Sequence, residues 1–189
     1  MSRPGRPTQT SPDAWADAAL AEIAETGVGA MSVQAVARRI GVSKGGFYHH
    51  FADRQELLQA ALARWEQRFV TGLIEQFETD AEPRERLHQL LIHAGLELEP
   101  TVVVQLMAAA DNPDVAAMLS RAAQARLKLL TGIFTAIGLT PRVARTRAAI
   151  AYSTYLGLAE LRRHAPPELT SPRRMRDYIA EIEAGLLRD

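Results

Sequence analysis

Hydrophobic positions recur three and four residues apart along almost the whole chain, while strict apolar–polar alternation is nearly absent, so the pattern predicts helices throughout. Ser11-Pro12-Asp13 supplies an N-cap, a proline at the first helical position and an early acid. The helix it opens should close at Gly27, which can take positive φ. Ser32 caps a short helix with Val33, Val36, Ala37 and Ile40 on one face; Gly41 ends it, and Ser43 caps the next. Asp53 followed by Glu56 has the form of a capping box and starts a long helix reaching about Phe77, with Leu58, Leu62, Trp65, Phe69 and Leu73 as its apolar stripe. Later breaks at Pro100, Asn112-Pro113, Gly138 to Pro141 and Pro166-Pro167 leave helices over about 83–98, 101–110, 113–137, 141–164 and 171–187. The expected fold is all-α, with about nine helices.

Composition narrows the class. Over 189 residues, 47% are hydrophobic and 23% charged, values of a soluble globular chain able to form one domain or a small domain plus a larger one. No apolar run approaches the roughly 18 residues of a membrane span, and no signal-peptide pattern opens the chain. With no cysteine there is no disulfide framework, thiolate nucleophile or cysteine-based metal site. A cytoplasmic protein without membrane attachment is therefore expected. The formal net charge is zero, so any binding of phosphate must come from where the cations sit. In residues 1–55, Arg3, Arg6, Arg38, Arg39, Lys44 and Arg54 face Asp13, Asp17, Glu22, Glu25 and Asp53, which is close to balance. Residues 1–10 read as a flexible arm whose arginines could enter a minor groove or simply remain a free tail.

One stretch has chemistry that a core does not need: Val42 to Phe51, VSKGGFYHHF. Ser32 to Phe51 gives two short helices joined by a tight turn at Gly41 and Val42, with small Ala37 at their crossing. Val36, Ile40, Val42 and Phe47 form the seam. This is the helix-turn-helix pattern, whose second helix enters a DNA major groove. Ser43 and Lys44 suit a phosphate, while Gly45 and Gly46 each weaken a helix by roughly 1 kcal/mol relative to alanine. Such costs in so short an element point to a close external contact. Tyr48 and His49 project outward, and Phe51 turns into the core.

Gly41 to Phe51 (GVSKGGFYHHF), preceded by GVGAMSVQAVARRI and followed by ADRQELL, resembles the DNA-binding domain of TetR-family transcriptional regulators over residues 11–58. The resemblance implies a homodimer with an N-terminal three-helix DNA-binding domain (residues 11–56, helix-turn-helix about 32–51) and a helical effector-binding and dimerisation domain (57–189). Carried over, Ser32, Ser43, Lys44, Tyr48 and Arg54 fall where phosphate contacts occur, and Gln34, Gly46 and His49 where bases or nearby backbone are approached; Gly45 joins the DNA-binding candidates through its missing side chain. Gly46 departs from the family, which often has threonine or alanine there; specificity then leans on Gln34, His49 and DNA shape. His50 is assigned to packing within the domain.

For the effector, Trp65, Phe69, His88, Leu91, Gln105, Met107, Phe134 and Tyr152 are candidates to line a pocket suited to a mostly apolar small molecule. For the dimer, Ala149, Ser153 and Gly157 recur every fourth residue, where a partner helix can approach closely. The last helix would add Met175, Tyr178, Ile179, Ile182 and Leu186 to an interface about a two-fold axis. Neither a metal nor a cofactor is expected: adjacent His49 and His50 point about 100° apart on a helix, and His88 and His93 lie on different faces. No nucleophile-elbow motif supports an enzyme. The favoured reading is a repressor of a palindromic operator, released by a small molecule. An activator of the same fold, or a ligand-binding helical protein without DNA function, is the alternative.

Overall fold

The computed structural model describes residues 11–97 and 101–188. The arm assigned to residues 1–10 lies outside them. Every described regular element is helical: α1 Pro12–Thr26, α2 Val33–Arg39, α3 Lys44–Phe47, α4 Arg54–Glu66, α5 Gly72–Phe77, α6 Pro83–Ile92, α7 Thr101–Ala108, α8 Pro113–Ala136, α9 Pro141–His164, α10 Pro167–Thr170 and α11 Pro172–Leu187. The expected all-α architecture is thus present, with the helices close to where the breaks place them. Two local features depart from the expected spans, the short helix α10 and a pair of π turns. The long helix from Asp53 is interrupted by a π-helical turn, Gln67–Thr71, that joins α4 to α5, and a second π turn, His93–Glu97, extends α6.

The capping signals work as read except at Ser43, which starts α3 without a side-chain cap bond. Ser11 Oγ accepts from the Ala14 N–H at 3.2 Å, and Ser32 Oγ from the Ala35 N–H at 3.2 Å. Asp53 accepts from the Glu56 N–H at 2.9 Å, while Glu56 reaches back to the Ala52 N–H at 2.6 Å, one residue earlier than a standard box. Gly27 sits at φ 85° and Gly41 at φ 71°. After α2 the chain makes a Schellman turn: Val42 N–H donates to Ala37 O at 3.0 Å and Gly41 N–H to Arg38 O at 3.2 Å. That turn fixes the approach of α3 to α2.

The interior forms two clusters. The first unites Trp15, Leu20 and Ile23 of α1, Val36 and Ala37 of α2, Phe47 and Phe51, and Leu57, Leu58 and Leu62 of α4 with Val103, Leu106, Val115 and Met118 from α7 and α8. It runs across residue 56 without a break, because α4 packs on α1 along one side and on α8 along another. Ion pairs reinforce this junction: Arg64 forks onto Asp17 at 3.0 and 3.1 Å, and Arg121 onto Glu66 at 2.9 and 2.7 Å. The second cluster joins Leu73 and Phe77, Leu87 and Leu90, Leu129, Leu130, Ile133 and Phe134, Ala144, Ala148, Ala151 and Leu186. Full burial of such side chains stabilises by about 1.5–3 kcal/mol each.

Candidate nucleic-acid interface

The short helix α3 is held from below. Phe47 is fully buried, edge-on to Trp15 and stacked on Phe51 at 5.6 Å between ring centroids in each case. With Val42 and Ile40 packed on the same cluster, the outward face of α3 is fixed although the helix has only four residues. On that face Ser43, Lys44, Gly45, Tyr48 and His49 are exposed, and Gln34 stands exposed on α2. Tyr48 retains 61% of its surface. Ser43 makes no side-chain cap bond, so its exposed hydroxyl is not spent on the helix it starts. Ser32 spends an acceptor lone pair on its cap and keeps its hydroxyl proton available.

The two glycines have no internal reason to be glycine. Neither has positive φ; a Cβ on Gly46 would meet nothing within 4 Å, and one on Gly45 would meet only Ser43 Oγ at 3.6 Å, an ordinary contact. The bare backbone faces solvent.

Charge is distributed more sharply than the balanced composition suggests. The acids of α1 are taken up by arginines: Arg39 bonds Glu22 at 3.1 Å and Glu25 at 2.6 Å, and Arg64 holds Asp17 with Asp13 at 3.4 Å. The Arg39 hydrogen bond, aided by its charge, holds the Glu25 carboxyl below the usual carboxylate range. Lys44 and Arg38 pair with no acid among the described residues; with Gln34, Ala37 and Val42 they line a shallow groove between α2 and α3. Arg38 was not among the residues assigned to DNA. It follows Gln34 by four residues, so the spacing that puts both on one helix face was already in the sequence.

Arg54 departs from its expected role. Its Nε donates to Met31 O at 2.8 Å, and its terminal nitrogen to Val28 O, so the guanidinium clamps the loop between α1 and α2 instead of reaching outward. The cause is the bend between the helix pairs, which leaves those carbonyls without helical partners.

The expected effector residues divide. A narrow cavity, partly open to solvent, is lined by Leu91 and Tyr152 as expected, together with Leu73, Leu90, Ala94, Arg126, Leu129, Leu130, Ala151 and Tyr155. Trp65 and Phe69 stand behind it, reached through Arg126. The other four candidates are elsewhere. Phe134 is fully buried in the second cluster. Met107 is exposed. Gln105 turns to the α1 C-terminus, donating to Ala24 O at 3.4 Å. His88 lies on the outer side of α6, where Nδ1 meets Glu183 of α11 at 2.8 Å, and this bond raises its pKa. Arg126 was missed. It occupies the apolar stripe of α8, in register with Val115, Met118, Ala122, Leu129 and Ile133, and a cation at such a position was the available signal.

The expected dimer residues also divide. Ala149, Ser153 and Gly157 are exposed along α9 beside Ile150, which is 46% exposed. Met175, Ile179 and Leu186 are instead buried within the subunit, at 1%, 2% and 2% exposure. The apolar face of α11 packs inward on α6, α9 and the second π turn, leaving Tyr178 and Ile182 half-buried.

Residues 16–61 match the family described as bacterial regulatory proteins, tetR family. The HTH-type transcriptional regulator BetI of Proteus mirabilis strain HI4320 is 34% identical over 76 residues, 39% of this chain and 38% of that protein, so the match spans under two fifths of the relative. A transcriptional regulator from Rhodococcus sp. Rha1 has a similar structure, with a TM-score of 0.81, 27% identity and coverage of 94% of this chain and 96% of the other. SmeT, the repressor of the Stenotrophomonas maltophilia multidrug efflux pump SmeDEF, shares the fold at a TM-score of 0.68 and 20% identity, over 94% and 91% of the two chains.

Proposed function

We infer that this chain, which belongs to the TetR family of transcriptional regulators, binds a palindromic operator as a homodimer and releases it when a small molecule occupies the helical body. The observation that carries the reading is the outward face of α3. Two glycines required by nothing inside the protein sit beside a free lysine and an uncapped serine, over an aromatic anchor that fixes their orientation. Lys44, Ser43, Ser32, Tyr48 and Arg38 supply phosphate contacts; Gln34 and His49 approach base edges, with Gly45 and Gly46 letting the backbone close on the groove. The exposed, small-residue stripe Ala149, Ser153 and Gly157 on α9 forms the dimer contact, and a partner subunit places a second α3 one DNA turn away, about 34–36 Å, or a multiple of it. An occupant of the body acts on α4, which is built into the reading domain's own core, so occupancy of the body and binding of DNA are coupled. Lys44→Ala tests the interface. Binding to every fragment should weaken, and the slope of log affinity against log salt should fall by about one phosphate's worth. An unchanged slope removes Lys44 from the contact set; equal affinity for all fragments, flanking or random, removes the operator reading itself.

A further inference from the structure

Arg126 is 4% exposed, yet among the described residues only one of its three guanidinium nitrogens is used: Nη2 donates to Phe69 O at 2.8 Å, while Nε and Nη1 have no hydrogen-bond partner. Its Cζ lies 5.3 Å from the Trp65 ring centroid, 5.4 Å from Tyr155 and 6.0 Å from Tyr152, so the aromatic faces embrace the cation but leave its N–H edge open. No carboxylate is among the residues lining the cavity that Arg126 borders; apart from the two tyrosines the rest of the wall is aliphatic. Burial raises the Tyr155 pKa, outweighing the charge of Arg126 and a weak hydrogen bond from it, so the phenol stays neutral and is no counter-ion. A buried cation with open donors is costly unless something pairs with it.

We propose that the effector of this protein is a monocarboxylate with an apolar body, its carboxylate seated on Arg126 and its hydrocarbon against Leu73, Leu91, Leu130 and Ala151. One buried positive charge matches one negative charge; a dianion would carry an excess charge into an aliphatic chamber, and a neutral hydrocarbon would leave the donors open. The body extends toward the adjoining apolar space beneath α11, which shares Leu91, Ala94, Ala151 and Tyr155 with the cavity. The same guanidinium ties α8 to the π turn between α4 and α5, so an anion that draws Arg126 away from Phe69 O acts on the helix leading to the DNA-binding face. The proposal rests on reading the helical body as the effector-binding part.

Calorimetry on the full chain with octanoate, 3-phenylpropionate and cyclohexanecarboxylate tests it, with octan-1-ol and octylamine as neutral and cationic controls. At least one carboxylate should bind once per chain, about tenfold to a hundredfold tighter than the controls, and Arg126→Met should remove that preference while melting at the same temperature or higher. The proposal is overturned if none of the three acids binds, if octan-1-ol binds as tightly as octanoate, or if Arg126→Met keeps the preference. The comparison of acid with alcohol needs no variant, so it decides even if the substitution disrupts folding. Fluorescence anisotropy with DNA runs separately. Carboxylate binding without any fragment preference sinks the regulator reading alone, and fragment preference without carboxylate binding sinks the effector proposal alone.

Discussion

Replacing Gly45 and Gly46 together by alanine should move stability and DNA affinity in opposite directions. Both residues lie in α3 at negative φ, and the added methyl groups meet only Ser43 Oγ at 3.6 Å or open space. Alanine at a compatible glycine stabilises by about 0.4–1 kcal/mol, chiefly by restricting the unfolded chain. Two sites therefore give about 1–2 kcal/mol, the lower end being the better guide in a helix of four residues. For a chain of this size that raises the melting temperature by roughly 2–8 °C. The same methyls project from the surface proposed to lie against the groove, so operator affinity should fall by about tenfold or more, with non-specific binding less affected. Differential scanning calorimetry gives the first quantity and anisotropy titration on the operator the second. A lower melting temperature would show that α3 needs glycine for its own conformation. Undiminished operator affinity in a stabilised variant would refute the argument that the bare backbone serves close approach.

Two further outcomes follow from the structure. Glu183 raises the His88 pKa, so the link between α6 and α11 is fully present below the unfolded histidine value near 6.5 and is lost as pH rises through the folded value. The melting-temperature gap between the parent and His88→Ala should therefore shrink at alkaline pH; a gap that widens there would reverse the assignment. Ser153→Arg, at the centre of the exposed α9 stripe, should yield monomers in sedimentation velocity, whereas an unchanged mass would move the subunit contact off that stripe.

Much of the fold was legible because its signals are local. Ser11-Pro12, Ser32, Asp53 with Glu56, and Asn112-Pro113 each mark a helix start through a bond made within three residues, and the structure shows those bonds. Phe47 and Phe51 could be assigned to the core because the helical period leaves them one face. What was not legible depends on partners far along the chain. Arg54 reads as a surface cation until the carbonyls of Val28 and Met31 are brought to it. Met175, Ile179 and Leu186 form an apolar stripe that the sequence cannot assign to a partner subunit or to its own; α6 and the π turn claim it, with Gly95 letting Ile179 come close. The π turn after α4 was not legible because the sequence offers an apolar side chain at both 69 and 70; the turn buries Val70, five residues after Trp65, and leaves Phe69 half-buried.

The unbroken interior across residue 56 bears on how a message could travel. Leu57, Leu58 and Leu62 are shared property of the reading head and the body, so the two cannot swing apart on a loose joint. Close-packed side chains resist compression; a push on the far end of α4 is therefore delivered as a tilt of one stiff rod. In the dimer proposed above, the pitch between the two reading heads would then change by levering, with the fulcrum at Trp15 and its neighbours.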